Sequence, residues 1–434
     1  MKSQTAASLL VAALTLALPR ASRADAPALF GAFARSAALA RADLADPSPT
    51  AAPRSNPAFA AVPGARVALG YGAGAMDLTF NGQGAGVARA SGLDLGLQLA
   101  TSIDGAPRRL VIGAAIAAHL PDTALADITF RPATEPQFVL YEAPLARIAV
   151  DAVAAARYGP VALGAGLSIG VGAGGRGIDF LLGQDGAGTF ASAGLDVALG
   201  YRFAPIAGLA IDLDRIAIGA SVRGAMAIDL DLSSAVLVAL HDNPLVGTTT
   251  VRISGAAGFD PTTVDLGARL RVTSTVSAFA ALTYAVYSAA PPPVADVTLD
   301  VKLGTTPSLR EVRFPAPRFR DTLSPHVGVE VSRAVGRAGA YNLAARAGYA
   351  LAPSPLPPQT KLTSYADANR HQIAIGAGVR APRVAGVRLS LDLAAQIHLL
   401  EEHTEQKESA SYPYASFDVG GRILYGAATL GATW

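Results

Sequence analysis

The sequence predicts an all-β protein: a transmembrane antiparallel β-barrel of about 14 strands with a small N-terminal hatch, or plug. Three observations lead there. After about residue 65 the chain alternates apolar and polar side chains with period two, over stretches longer than the roughly six residues of a soluble strand. It is 51% hydrophobic and only 16% charged, yet beyond its N-terminus it has no run of about 18 apolar residues, the length a membrane helix needs. It ends Leu424-Tyr-Gly-Ala-Ala-Thr-Leu-Gly-Ala-Thr-Trp434, where Leu424, Gly426, Ala428, Leu430, Ala432 and the only tryptophan share one apolar face. A strand between lipid and lumen must alternate, and a span without helices must close on itself.

Residues 1–24 read as a signal peptide. Lys2 is a basic start, Ala6 to Leu18 an apolar core of secretory length, and Ser22-Arg23-Ala24 a small-x-small cleavage site before Asp25. The alternative, a membrane anchor, is disfavoured by the shortness of the stretch. Residues 25–65 do not alternate. They are rich in alanine, allow a short helix over Ala34 to Leu44, and break at Pro47, Pro53, Pro57 and Pro63. A strandless segment of this length ahead of a barrel reads as a lumen plug; the competing reading is a disordered tail.

The barrel itself is expected over 66–434. Its strands are placed at 66–79, 92–104, 108–119, 145–158, 160–173, 191–204, 213–231, 262–273, 275–288, 322–334, 339–351, 369–380, 386–400 and 419–434. In 386–400, Val387, Leu389, Leu391, Leu393, Ala395, Ile397 and Leu399 form one face, and Arg388, Ser390, Asp392, Gln396 and His398 the other. A helix would separate Arg269 from Arg271; a strand puts both inside. Short connections near 105–107, 159, 205–212, 274, 335–338 and 381–385 alternate with longer ones, the asymmetry of periplasmic turns and outer loops. An even strand count puts both termini in the periplasm.

Composition excludes several functions. The net charge of +2 comes without a basic block, so no nucleic-acid partner is expected. Absence of cysteine removes disulfides and thiolate metal sites. Gly172-Ala-Gly174-Gly-Arg-Gly177 matches a dinucleotide fingerprint, but no helix follows to receive a phosphate. Glu401-Glu-His403-Thr-Glu405 reads as a solvated charge run in an outer loop, and the six histidines lack metal spacing. No Ser/His/Asp arrangement emerges. Neither enzyme activity, nor a catalytic residue, nor a metal, nor a cofactor is expected.

Phe30-Gly-Ala-Phe-Ala-Arg-Ser-Ala-Ala-Leu-Ala-Arg-Ala-Asp-Leu-Ala-Asp46, with Ser55-Asn56-Pro57-Ala58 just before the first strand, resembles the hatch of the outer-membrane long-chain fatty acid transporters, the FadL-type family that also includes aromatic hydrocarbon transporters. Glu135-Pro-Gln-Phe-Val-Leu-Tyr141, Asp321-Thr-Leu-Ser324, Arg346-Ala-Gly-Tyr349, Pro353-Ser-Pro-Leu-Pro357 and Asp367-Ala-Asn-Arg-His371 resemble that family in order along the chain. The resemblance implies a fourteen-stranded barrel with an N-terminal hatch, in the outer membrane of a Gram-negative bacterium. It also implies passive uptake of hydrophobic molecules, long-chain fatty acids first among them. The chain departs from the family in ending with Trp434 rather than Phe and in having only 6% aromatic residues. Two other readings stand beside it: a barrel partner or shuttle for secreted proteins, and a general diffusion porin. The expected partners are hydrophobic small molecules, fatty acids or hydrocarbons, and outer-membrane lipid, around a monomer.

Candidate site residues follow. Pro57 fixes its own φ and holds Asn56 extended, so Asn56-Pro57-Ala58 makes a rigid bend that can anchor a plug. Phe130, Phe138, Leu140 and Tyr141 in one outer loop, and Phe180, Leu181 and Leu182 in the next, suit either a hydrophobic capture surface or a cover for the barrel mouth. Among the inward charges, Arg157, Arg202, Arg269 and Arg346 are candidates to hold a carboxylate, which the arginine fork matches. A structural charge ladder in a wet lumen is the competing reading.

Overall fold

The computed structural model describes residues 26–85, 89–103, 110–122, 133–138, 140–141, 148–185, 188–240, 247–292, 296–303, 306–313, 316–336 and 340–434. The expected signal peptide, and Phe130, lie outside the described residues.

Fourteen antiparallel strands form the wall. They are β1 Gly64–Phe80, β2 Arg89–Ile103, β3 Leu110–Pro121, β4 Ile148–Tyr158, β5 Val161–Asp185, β6 Gly188–Asp212 and β7 Ile216–Arg223. The other seven are β8 Thr262–Arg271, β9 Val276–Val286, β10 Thr322–Val335, β11 Tyr341–Ala352, β12 Arg370–Val384, β13 Val387–Gln406 and β14 Ser416–Thr433. Each pairs with the next. The last pairs with the first from Arg66↔Thr433 to Phe80↔Val419, which closes the barrel and leaves the wall without an edge. The Trp434 amide extends this seam by donating to the Ala65 carbonyl at 3.0 Å. The alternation has the expected sense: Leu97, Leu99, Leu163 and Ile375 face outward, while Gln98, Asp151, Arg269 and Gln396 are buried inside. Among the described residues no helix is long and apolar enough to cross a membrane.

Three stretches differ from expectation. The segment expected as one strand over 213–231 ends at Arg223, and 226–240 leaves the wall. Pro205 on β6 has no N–H to continue the ladder, and the Gly224 amide turns back to the Pro205 carbonyl at 2.8 Å. The connection expected at 205–212 is strand, and the turn lies at 213–215. The stretches expected as outer loops at 174–190, 232–261 and 289–321 carry strand as well. Val236–Leu240 runs parallel to Phe180–Gln184 of the long β5. Met226–Leu240 pairs with Gly247–Asp260, which pairs with Asp296–Leu303, which pairs with Thr306–Arg313. Alternation signals a strand wherever it occurs; it does not say whether the strand lies in the membrane wall. Finally, β13 continues through Glu401–Glu405 after a register shift between Leu400 and His403, so that stretch is strand. The 172–177 fingerprint likewise runs through β5 as strand.

The N-terminal segment lies inside the wall. It forms helices α1 Ala26–Phe30 and α2 Phe33–Ala38, then 3-10 turns at Ala42–Ala45, Pro49–Ala51 and Pro57–Ala60. The helix expected over 34–44 stops early because Ala40 and Arg41 adopt left-handed φ of 48° and 66°. The segment seats against glycines of the wall. A Cβ on Gly348 would overlap Leu39, on Gly376 Ala38, on Gly267 Leu44, on Gly208 Asn56, on Gly164 Pro57 and on Gly113 Ala60. These glycines sit on six different strands, so the plug touches bare wall around much of the circumference, with its backbone at Gly348, Gly164 and Gly113.

Candidate functional site

The plug is tied to the wall at both ends and in the middle. At its start, Phe30 stacks on Tyr425 with ring centroids 3.9 Å apart, and the Gln396 amide donates to the Phe30 and Ala37 carbonyls, each at 2.7 Å. At its end, Gln98 donates to the Ala60 and Val62 carbonyls at 2.9 and 2.8 Å. Between them run three ionic ties. Arg35 meets Glu330 at 3.1 Å, Arg54 meets Asp151 at 2.6 Å, and Asp46 meets Arg269 at 3.4 Å. Asp151 is fully buried and also takes Arg223 at 2.6 Å. Such charges are tolerated out of water only when paired and hydrogen-bonded.

Asn56 sits at the middle of this arrangement, fully buried. Its backbone is extended, as the following proline requires (φ −140°, ψ 108°), and its side-chain oxygen accepts from the Ala58 amide at 3.1 Å. Its side-chain nitrogen donates to Leu209 on β6 at 3.0 Å and to Leu44 of the plug at 3.4 Å. One residue thus caps the Pro57–Ala60 turn, which Ala58 continues, and joins two parts of the plug to the wall.

The other sequence candidates fall in two places. Arg346 is buried between Glu330 at 2.5 Å and Asp392 at 2.7 Å; Arg269 is buried against Asp46 and Asp212. Arg157 meets Asp212 at 3.6 Å, and Arg202 is exposed with a bond to the Tyr201 carbonyl at 3.3 Å. At the mouth, Phe138 is buried and stacks on Phe80 at 4.7 Å, and Tyr141 is buried within 6.0 Å of Phe138. Leu140 packs partly against the same cluster, which includes Met76, Phe417 and Ile423. This places Phe138 and Tyr141 within the packing of the mouth, not in open solvent. Phe180 belongs to β5, of whose side chains nothing is described beyond Val171.

Between plug and mouth lies a cavity of about 290 Å³. Its floor includes Leu29, Ser36, Arg41 and Arg54 of the plug, and its roof Leu140, Tyr141, Phe259 and Tyr287. Thr283, His326 and Gln372 contribute from the wall, and Met226 from just beyond the break at Arg223. Burial pushes the Tyr287 hydroxyl up to about 12, with Asp260 adding to it, and burial also pushes the Asp367 carboxyl upward. Arg370 lies 6.0 Å over the Tyr141 ring and donates to its hydroxyl at 3.4 Å. Thus the cavity's own arginines, Arg41, Arg54, Arg223 and Arg370, are not the four singled out from the sequence. Arg370 lies in the Asp367–His371 stretch, which the sequence marked only through its resemblance to the FadL-type family.

No protein-family model and no curated protein sequence matches the chain. Its three-dimensional structure does have counterparts. A Pseudomonas aeruginosa FadL homologue superposes with a TM-score of 0.53 at 16% identity, over 96% of this chain and 98% of that one. The Pseudomonas putida toluene transporter TodX does so with a TM-score of 0.52 at 14% identity, over 94% of this chain and 99% of that one. The chain has the fold of the FadL-type barrels. The resemblance read from the hatch and loop motifs and the architecture of the whole chain therefore point to one fold, at an identity where fold is what superposition establishes.

Proposed function

We propose that the protein is an outer-membrane channel for passive uptake of hydrophobic molecules, with long-chain fatty acid as the first substrate to test. The single observation that carries this reading is a closed barrel whose lumen is filled by a wall-seated plug, with a cavity on the mouth side of it. An apolar chain leaving water gains about 0.8 kcal/mol per buried CH₂, which supplies capture without covalent chemistry or nucleotide. The residues 25–65 act as the hatch that obstructs free diffusion, and Asn56, Pro57 and Ala58 hold it in place. The buried state of Phe138 and Tyr141 supports a mouth that must loosen locally to admit substrate.

Uptake of labelled long-chain fatty acid, and of toluene, by cells expressing the full chain tests the reading; uptake no greater than that of empty cells overturns it. Planar-bilayer conductance separates it from a diffusion porin. The plugged channel should conduct weakly and a 25–60 deletion strongly.

A further inference from the structure

Residues that line the cavity carry buried polar atoms that no described residue satisfies. Gln372 is 2% exposed and His326 5%, and both line the cavity. They lie in one lateral row of the wall: His326 is opposite Ala350, and Ala350 is opposite Gln372. Ala350, between them, also lines the cavity and contributes only a methyl group. Gln372 Nε2, His326 Nε2 and Arg370 Nε are each buried with no hydrogen-bond partner among the described residues.

Their roles can be assigned. His326 Nδ1 lies 2.7 Å from the Ala40 carbonyl oxygen of the plug. A carbonyl only accepts, so Nδ1 carries the proton, and Nε2 of the neutral ring is a bare acceptor. Gln372 Nε2 and Arg370 Nε can only donate. Two donors and one acceptor therefore lie just beneath the lining of one cavity.

We infer that this cavity receives an amphipathic molecule whose head is an uncharged hydroxyl, an alcohol or phenol or a carboxylic acid in its protonated form. The inference rests on the uptake reading above and names the chemistry of its substrate. A hydroxyl accepts from Gln372 or Arg370 and donates to His326. A pure hydrocarbon leaves all three atoms desolvated and unpaired, a penalty that a site built for polar groups uses to reject apolar analogues. A carboxylate has no hydrogen to give His326. It also meets no net positive lining, since four arginines and four aspartates line the cavity and their formal charges cancel. Leu29, Leu140, Phe259 and Pro355 on the lining suit the apolar body.

The test is titration calorimetry on the full chain in detergent micelles, corrected against empty micelles. The probes are 4-propylphenol, propylbenzene and 4-propylbenzoate at pH 7.5, which share one apolar body. The phenol should bind about tenfold tighter than either of the others, the worth of one good hydrogen bond. Gln372→Leu should remove most of that advantage and leave propylbenzene affinity within about twofold. Propylbenzene binding as tightly as the phenol, the benzoate binding tightest, or no probe binding at all overturns the inference. Should Gln372→Leu fail to fold, the three probes on the unaltered chain still decide. Cellular uptake keeps the two levels apart. Equal uptake of phenol and hydrocarbon defeats the head-group inference while the uptake reading stands; uptake of none defeats the uptake reading itself.

Discussion

The plug seat and the cavity above it are built from the same residue types and treat them in opposite ways. At the seat, the charged groups are mostly closed on one another, although buried atoms such as Arg269 Nε and His398 Nδ1 have no hydrogen-bond partner among the described residues. Asp151 holds two arginines, Arg346 bridges Glu330 and Asp392, and Asn56 bonds both plug and wall. Glycines let plug backbone lie directly on strand backbone. In the cavity, Gln372, His326 and Arg370 each keep a buried nitrogen unpaired. The difference teaches where the molecule is sealed and where it is prepared to receive something. A satisfied polar network fixes one conformation, whereas an unsatisfied one is costly until a partner arrives.

That contrast can be broken most severely at Asp151. Asp151→Ala leaves Arg54 and Arg223 buried without their shared carboxylate, and it should cost about 3–5 kcal/mol. The loss is measurable as a lowered urea midpoint and increased proteolysis of the plug. Next comes the seat. Gly164→Val drives a side chain into Pro57 and should cost about 1–3 kcal/mol while raising single-channel conductance. Gly426→Ala faces outward, where an added Cβ meets only the Ala394 carbonyl oxygen at 3.9 Å, so neither stability nor conductance should change. Equal effects at the two glycines would refute a wall fitted to its plug. Asn56→Ala should cost about 1–2 kcal/mol from the lost cap, read by the same denaturation.

The smallest expected effect is on the cavity side. Burial raises the Asp367 carboxyl above its unfolded value. Its protonated form is therefore favoured by folding. That contribution is complete below the unfolded value of about 3.9 and is lost as pH rises through the folded one. Asp367→Asn should therefore raise the thermal midpoint slightly at pH 7.5, by about 2 °C, and by less at pH 4. A larger gain at pH 4 would reverse the assignment.

Much of this architecture was legible in the chain. Period-two alternation gave the wall strands within a few residues at most positions, because one face must meet lipid. It placed Arg269 and Asp392 inside for the same reason. It did not separate wall strands from the sheet that extends beyond them. The break at Arg223 depends on Pro205, a residue of the neighbouring strand. The inward arginines were visible as a set, but which of them pair and which line the cavity depends on the plug's path across the lumen. Asn56 stood out through its proline, since that constraint is local.

The sequence by itself determined that this is a barrel of alternating strands, the last of them running up to Trp434, with a proline-punctuated segment ahead of it. These are statements about solvent and local backbone geometry, which neighbouring residues settle. Only the tertiary structure decided that the segment lies against glycines from many strands, that Phe138 and Tyr141 are packed into the mouth, and that Gln372 and His326 face one cavity. Those facts join residues up to hundreds of positions apart, and contact at such separation is set by how the closed wall brings its strands around the plug.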